Sequence, residues 1–151
     1  MLTETLRLLF RRDLDRVANE LLLYRNETAI WQVEKDIANS AGNLILHLIG
    51  NLKTYIGAEL GGVAYTRHRE LEFSQKNVDR QELLAKLAET RDIVDEALRA
   101  LRPDVLAGEY PLLVFEHKTS TEYMLVHLAC HLAYHLGQIN YHRRLIDPTQ
   151  V

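Results

Sequence analysis

Apolar residues recur at the spacing of an α-helix in four long stretches of this sequence, and no stretch clearly alternates like a β-strand. The first stretch covers residues 3–25, where an apolar stripe lies beside charged residues; the stripe consists of Leu6, Leu9, Leu14, Val17 and Leu21. The second begins at Asn39 or Ser40, both common N-cap residues, and runs to Ile56. Because the second stretch is apolar over much of its circumference, we expect it to lie deep in the fold.

The third and fourth helical stretches each begin with a capping-box pattern, in which an acidic residue follows the N-cap by three positions. Asp79 with Glu82 predicts the start of the third helix, and Thr119 with Glu122 predicts the start of the fourth. A proline follows each helix, and the fourth is expected to end near Ile146. We therefore expect four helices joined by three connections.

The longest connection, residues 57–78, has a charged middle section. A connection of this length can cross from one end of a bundle to the other, which would make the second and third helices parallel neighbours. Long connections are often functional, so a functional loop and a solvated crossover are both open interpretations. In the connection 26–39, Trp31 is expected to cap the core. In the connection 103–118, residues 112–116 could form a short extended piece.

Four helices without a clear strand predict an all-α fold, a four-helix bundle that spans residues 1–151 as a single domain. Apolar residues make up 47% of the sequence and charged residues 26%, as in soluble globular proteins. The formal net charge of −3 argues against a nucleic-acid partner. No apolar run reaches membrane-spanning length, the N-terminal residues lack a signal-peptide pattern, and one cysteine allows no intrachain disulfide. We therefore expect a cytoplasmic protein with no membrane partner.

The fourth helix carries four histidines on one stripe. An α-helix turns about 100° per residue, so His127 and His135 lie about 40° to either side of His131, and His142 lies within about 20° of it. A neutral imidazole has a donor and an acceptor to satisfy, so burying several of them is costly unless their nitrogens are used. A metal ion uses several imidazole nitrogens at one place, and His131 and His135, one turn apart, can reach one ion.

A third candidate ligand, His47, lies in the middle of the apolar second helix, in a row with Asn43 and Asn51. An unpaired imidazole there would be costly to bury. One interpretation is a core histidine that is hydrogen-bonded to Asn43, to Asn51 or to a carbonyl group. The interpretation that we favour is a three-histidine metal site, formed by His47, His131 and His135 where the second and fourth helices face each other.

Three neutral imidazoles would leave a divalent ion its full charge and at least one open coordination position. Zn2+ in such a site lowers the pKa of bound water to about 7, and the same position can hold a thiolate. Imidazole ligation suits Zn, Ni, Cu or Fe, of which we expect Zn or Ni. The motif is not that of the zincins, because Leu132 stands where H-E-x-x-H places its general base. A base must then be the activated water itself or come from a connection; the candidates are Glu70, Glu72 and Glu116.

Further residues are candidates for the pocket or for hydrogen bonds to the ligands: Asn43, Asn51, His127, Tyr134 and Gln138. Of these, Tyr134 and Gln138 flank the histidine pair and could hold a water molecule or a substrate. Cys130 points about 100° away from His131, so we expect it to be a small packed residue and not a ligand.

Three segments, GNLILHLIGNL, RHRELEF and HLAYHLGQINYHRRL, together resemble the DinB/YfiT-like family of small metal-binding helical bundles. The likeness extends over nearly the whole chain in order and spacing. It implies metal ligands at His47, His131 and His135. It also implies a homodimer and an up-down-down-up four-helix bundle with a long crossover between helices 2 and 3. It carries no implication of DNA binding or polymerase activity.

Characterised members of that family act on small-molecule substrates in two ways. Some are metal-dependent transferases or isomerases that use low-molecular-weight thiols, such as bacillithiol S-transferases and a mycothiol-dependent maleylpyruvate isomerase; others resemble metal-dependent hydrolases. The resemblance therefore implies a thiol S-transferase of the detoxification type, with a divalent ion and a low-molecular-weight thiol as cofactors. Arg67 and Arg69 could meet a carboxylate of such a thiol. The alternatives are a metal-dependent hydrolase and a non-catalytic bundle that acts through dimerisation or a protein partner.

Overall fold

The computed structural model describes residues 1–148, in which the chain is helical and forms no β-strand, so the all-α prediction is confirmed. The helices are α1 (Leu2–Leu23), α2 (Ala41–Leu52), α3 (Arg69–Ser74), α4 (Arg80–Ala100), α5 (Pro103–Ala107) and α6 (Thr121–Ile146). A 3-10 turn, Glu27–Trp31, follows α1, and a π-helical turn, Lys53–Ala58, extends α2. None of the helices within residues 1–148 combines the length and apolar character needed to cross a membrane.

Side chains cap the starts of the longer helices largely where the sequence predicts them. The hydroxyl of Ser40 accepts a hydrogen bond at the start of α2, and the carboxylate of Asp79 accepts two at the start of α4. The predicted start of α6 is wrong by one residue, because Ser120 and not Thr119 is its N-cap. The carbonyl of Thr119 instead accepts from the amide of Tyr110 at 2.8 Å, which keeps the chain extended up to Ser120.

Two short helices lie inside segments that we expected to be plain connections. Helix α3 interrupts residues 57–78, and α5 interrupts residues 103–118, while residues 112–116 contain no regular element. Helices of five or six residues are too short to show a helical period in the sequence. Of the two, α3 matters for function because it packs against α2 and brings a buried carboxylate with it.

The four long helices surround one apolar core. Helix α1 packs against α4 and α6, and α2 packs against the same two helices. Every residue of α2 is buried, which confirms the expectation that it lies deep. Trp31 is only 8% exposed and caps the core as expected. The burial of α2 decides where the site can form, since polar groups on it must find partners inside the protein.

Candidate metal centre

Three histidine side chains meet between α2 and α6. The Nε2 atom of His47 lies 3.2 Å from the Nε2 atom of His131, and Nε2 of His135 lies 3.1 Å from the same atom. One ligand atom from each ring lies within 4.8 Å of the other two. The structure therefore brings together the three side chains that the sequence analysis selected, in a group close enough to bind one metal ion.

The spacing of the three nitrogens fits a tetrahedral metal ion. A Zn–N bond of about 2.0–2.1 Å places the nitrogens of a tetrahedral site about 3.3–3.4 Å apart. The Nε2 separations of 3.1 and 3.2 Å are only slightly shorter than that. Small outward shifts of the rings would be enough to form the coordination shell.

The hydrogen bonds of the Nδ1 atoms of His47 and His135 show that the Nε2 atoms of both rings carry lone pairs. Nδ1 of His47 lies 3.0 Å from Oε1 of Glu72, and Nδ1 of His135 lies 2.7 Å from Oε1 of Gln138. Both oxygens can only accept, so each Nδ1 carries the proton and each Nε2 carries a lone pair. Of the three Nε2 atoms, only that of His131 can then carry a proton, and it can donate to just one of the two lone pairs, on His47 or on His135. A shared cation satisfies all three nitrogens together.

The rings of His131 and His135 are held neutral by their surroundings. Burial, together with the nearby His135 and His47, lowers the pKa of His131 to about 4. Burial also lowers the pKa of His135, partly offset by its hydrogen bond to Gln138. Neutral imidazoles are the form that binds metal, so the lone pairs are free near pH 7 without loss of a proton.

The side chain of Glu72 is buried at the back of His47. It is 7% exposed and accepts two hydrogen bonds of 2.8 Å from the guanidinium of Arg67. Burial alone would raise the pKa of Glu72, but the hydrogen bonds from Arg67 and His47 bring it below its usual value. Glu72 is therefore ionised at neutral pH, and His47 bonds to this carboxylate and not to the asparagine or carbonyl of the alternative interpretation.

The other two candidate bases, Glu70 and Glu116, are exposed. Glu72 is buried and already accepts three hydrogen bonds from Arg67 and His47, so it is not placed to accept a proton from a substrate. No candidate base from the connections is thus both near the histidines and free.

The predicted pocket residues divide into those that touch the ligands and those that act elsewhere. Gln138 bonds to His135, the ring of His127 stacks near His131 at 6.2 Å, and the ring of Tyr134 meets His135 edge-on at 5.2 Å. Cys130, expected to be packed, is exposed because it lies on the outer face of α6.

Among the described residues, the two asparagines of α2 form no hydrogen bond with the three histidines of the cluster. Asn43 donates two hydrogen bonds of 2.9 Å to the carbonyls of Glu72 and Gln75, and so holds α3 against α2. Asn51 is buried, and its Oδ1 accepts no hydrogen bond from the residues that the structure describes.

A groove of about 450 Å3 lies next to the histidine cluster. Gln138, which bonds to His135, lines it together with Leu44, Tyr141 and His142. The three histidines do not line it; it is connected to the cluster by Gln138 and by Leu44, which precedes His47 by about one helical turn. Its walls are largely apolar.

Sequence reasoning missed the roles of Arg67 and Gly50. Arg67 was considered for a carboxylate of the thiol cofactor, but it pairs with Glu72. A methyl group at Gly50 would overlap the carboxylate of Glu72, so the glycine makes room for it. Two features of the sequence could have indicated these roles. One is a glycine within a buried helix, one turn after a histidine; the other is the charged connection that contains both Arg67 and Glu72.

The fold and the site define an all-α protein with a half-buried cluster of three histidines. Within that class, the chain belongs to the family described as "Protein of unknown function (DUF1572)", whose model matches residues 4–150. A search of curated proteins and a search of solved structures each found no match.

Proposed function

We propose that this protein is a divalent-metal-dependent, DinB-like enzyme that transfers a low-molecular-weight thiol to an electrophilic small molecule. Metal binding is supported by the Nε2 atoms of His47 and His135. Both carry a lone pair, and each lies about 3 Å from Nε2 of His131. Such an arrangement is unfavourable without a cation between the nitrogens. Zn2+ and Ni2+ both suit imidazole ligands.

The proposal includes a four-helix bundle of the up-down-down-up kind, built from α1, α2, α4 and α6. Each of these helices packs against two of the others, as in a bundle. The long connection between α2 and α4, with α3 inside it, is of the length that a crossover between parallel neighbours requires.

A divalent ion bound by three neutral imidazoles keeps its charge and lowers the pKa of a thiol or water molecule that reaches it. The chain's part is to hold the nitrogens neutral by burial and to fix the ring of His47 through Glu72. The apolar groove beside Gln138 is where the carbon skeleton of the electrophile would lie. In the transfer, the thiol sulfur forms a C–S bond, the leaving group departs and the thiol proton passes to solvent.

Thiol transfer is favoured over hydrolysis by the state of the carboxylates. Attack by water is helped by a base that accepts its second proton, and the one buried candidate, Glu72, already accepts three hydrogen bonds from Arg67 and His47. A thiol has a single proton and a much lower pKa than water, so its activation by a metal ion needs no such base.

We also propose that the protein forms a homodimer, in which the exposed face of α6 meets a second copy. Tyr134, Tyr141 and Leu145 are 64%, 65% and 71% exposed. Tyr141 and Leu145 lie about 20° to either side of Tyr134 around the helix, so the three make one apolar stripe. Light scattering after size-exclusion chromatography would give twice the mass of the chain, and Tyr141→Glu would return it to a single chain.

The first test of the proposal is elemental analysis of protein purified without a histidine tag. We expect about one divalent ion per chain in the parent, loss of that ion in His131→Ala, and its retention in His127→Ala. His127 is the matched control because it lies one turn away on the same helix and outside the cluster. Absence of metal in the parent, even after addition of Zn2+ or Ni2+, would remove the basis of the proposal.

The second test separates the two reactions. A panel of low-molecular-weight thiols with an activated aryl halide should release halide only when thiol and metal are both present. Turnover of an ester or amide without thiol would favour the hydrolase. A metal-loaded protein that converts neither kind of substrate would favour the non-catalytic alternative.

A further inference from the structure

The carboxylate of Glu72 lies in a site that the chain has built for it. Arg67 donates one hydrogen bond to each of its oxygens, at 2.8 Å in both cases, and His47 donates to Oε1 at 3.0 Å. This planar two-bond pairing fixes the orientation of the carboxylate as well as its charge. A glutamate that served only to balance Arg67 would not need to be buried against an imidazole.

We propose that Glu72 is the positioning residue of the metal site, which holds His47 as the Nδ1–H tautomer with the Nε2 lone pair aimed at His131 and His135. The proposal rests on the metal site put forward above. A carboxylate that accepts from one nitrogen of an imidazole pushes electron density to the other, which makes that nitrogen a stronger ligand. His135, which is paired with a neutral amide, does not receive this effect to the same extent.

The space for the carboxylate comes from Gly50. A Cβ atom there would overlap Oε2 of Glu72, so any larger residue would push the carboxylate away from α2. Gly50 follows His47 by three residues and lies on the same side of the helix, next to the imidazole. A glycine in the middle of a helix generally lowers stability by about 1 kcal/mol relative to alanine. Its presence here is explained by the close approach of the Glu72 carboxylate to α2.

The main chain of Glu72 is also held by a hydrogen bond. Asn43 donates from its Nδ2 atom to the carbonyls of Glu72 and Gln75, at 2.9 Å each, and is itself fully buried. Asn43 and Gly50 therefore act on the same residue from two sides of His47. Together with Arg67 they hold a short helix, α3, that has little core of its own.

Arg67 does not compete for the same nitrogen. Its Nη2 atom lies 3.5 Å from Nδ1 of His47, against 2.8 Å from Oε1 of Glu72. Hydrogen bonds weaken steeply at the longer distance, so Nδ1 donates to the carboxylate. The tautomer of His47 is therefore a direct readout of the proposal.

The principal experiment measures the affinity for Zn2+ by competition with a chromophoric chelator. We expect Glu72→Gln to bind Zn2+ about 10–100-fold more weakly than the parent. Glu70→Gln is the matched control, because Glu70 lies on the same helix with its side chain 77% exposed, and its affinity should equal that of the parent. Parent-like affinity in Glu72→Gln would overturn the proposal.

A second measurement needs neither a variant of Glu72 nor a metal ion. In the metal-free parent, 15N NMR of the histidine rings should show His47 protonated at Nδ1, with its signals assigned by their loss in His47→Asn. An Nε2–H tautomer would overturn the proposal. A parent that binds no Zn2+ but shows the Nδ1–H tautomer would contradict the proposed function while supporting the role of Glu72.

Gly50→Ala gives a variant that keeps the carboxylate but displaces it. It should weaken Zn2+ binding and shift the His47 tautomer in the same direction as Glu72→Gln. A purely structural role for Glu72 would lower the midpoint of thermal unfolding in these variants and leave the tautomer unchanged, and that result would count against the proposal.

Discussion

The middle and the C-terminal end of α6 both carry histidines on one stripe, but their hydrogen bonds differ. Near the end, His142 is buried and uses both ring nitrogens within the chain: Nε2 donates to the carbonyl of Gln32 at 2.8 Å, and Nδ1 accepts from the hydroxyl of Tyr24 at 2.6 Å. In the middle, Nε2 of His131 and Nε2 of His135 face each other at 3.1 Å. Helical spacing alone does not separate the two cases.

The difference gives a physical criterion for a ligand. A neutral imidazole has one donor and one acceptor, and His142 has a partner for each. His47 has a partner for its donor only, and its acceptor points to two other rings. We therefore interpret His142 as a link from α6 to the end of α1 and to the 26–39 connection, and His47 as a candidate ligand.

The largest expected effect is on metal binding. Replacing His47 with alanine removes one of three ligands, and Zn2+ should no longer be bound stoichiometrically at micromolar protein. His142→Ala should keep about one Zn2+ per chain, because its nitrogens are used elsewhere. Isothermal titration calorimetry of both variants checks this. Loss of Zn2+ binding in both would break the distinction between the two histidines.

The second effect is on the stability of the metal-free protein. His142→Ala leaves the buried hydroxyl of Tyr24 without its partner, which costs about 1–3 kcal/mol, and the loss of the buried ring leaves a cavity that adds to this cost. We expect the free energy of unfolding to fall by about 2–4 kcal/mol, measured by urea denaturation.

Tyr24→Phe is the matched control for that measurement. It removes one of the two hydrogen bonds of His142 and should therefore cost less than the loss of the ring. A His142→Ala variant as stable as the parent would show that this histidine is not a structural link.

The third effect is a dependence of stability on pH. Burial lowers the pKa of His131 to about 4 in the folded protein, below the value of about 6.5 for an exposed histidine. Between these values the unfolded chain binds a proton that folded His131 does not, so the free energy of unfolding should fall as the pH is lowered through this window. His135, whose pKa is also lowered, adds to the same slope.

Metal-free protein in the presence of chelator is required for this measurement. Glu72, with its lowered pKa, loses its stabilising effect only as the pH falls below the usual range of a carboxyl group, so the interval from about pH 6.5 to 5 reports mainly on the histidines. His131→Gln should have a shallower slope there. An equal slope in parent and variant would contradict the neutral state of His131.

Much of the fold was predictable because long helices repeat their pattern many times. The apolar stripes of α1 and α4 and the continuous burial of α2 follow from the spacing of apolar residues along each helix. These helices contain 22, 21 and 12 residues, respectively. Helices α3 and α5 were not, because one or two turns give no period. They are held by tertiary contacts, such as the hydrogen bonds from Asn43, that no local pattern contains.

The three histidines of the cluster were predictable, but their surroundings were not. His131 and His135 are one turn apart, and His47 lies in an apolar helix, so their types and spacing indicate a common ion. The pairing of His47 with Glu72 spans 25 residues and depends on how α3 lies over Gly50. Three glutamates in the connections were equivalent in the sequence, and only burial distinguishes Glu72 from the other two.

The smallest expected effect concerns the N-terminal end of α6, which must be fixed for the histidines in its middle to be placed. Ser120 accepts from the amide of Tyr123 at 3.1 Å as the N-cap, whereas Thr119 contributes its backbone carbonyl to Tyr110. Ser120→Ala should lower the free energy of unfolding by about 1 kcal/mol, and Thr119→Ala should change it by less than about 0.5 kcal/mol. Because neither residue touches the cluster, Zn2+ affinity should stay at the parent value in both. A larger loss of stability in Thr119→Ala than in Ser120→Ala would move the start of α6 back to the residue that the capping-box pattern indicates.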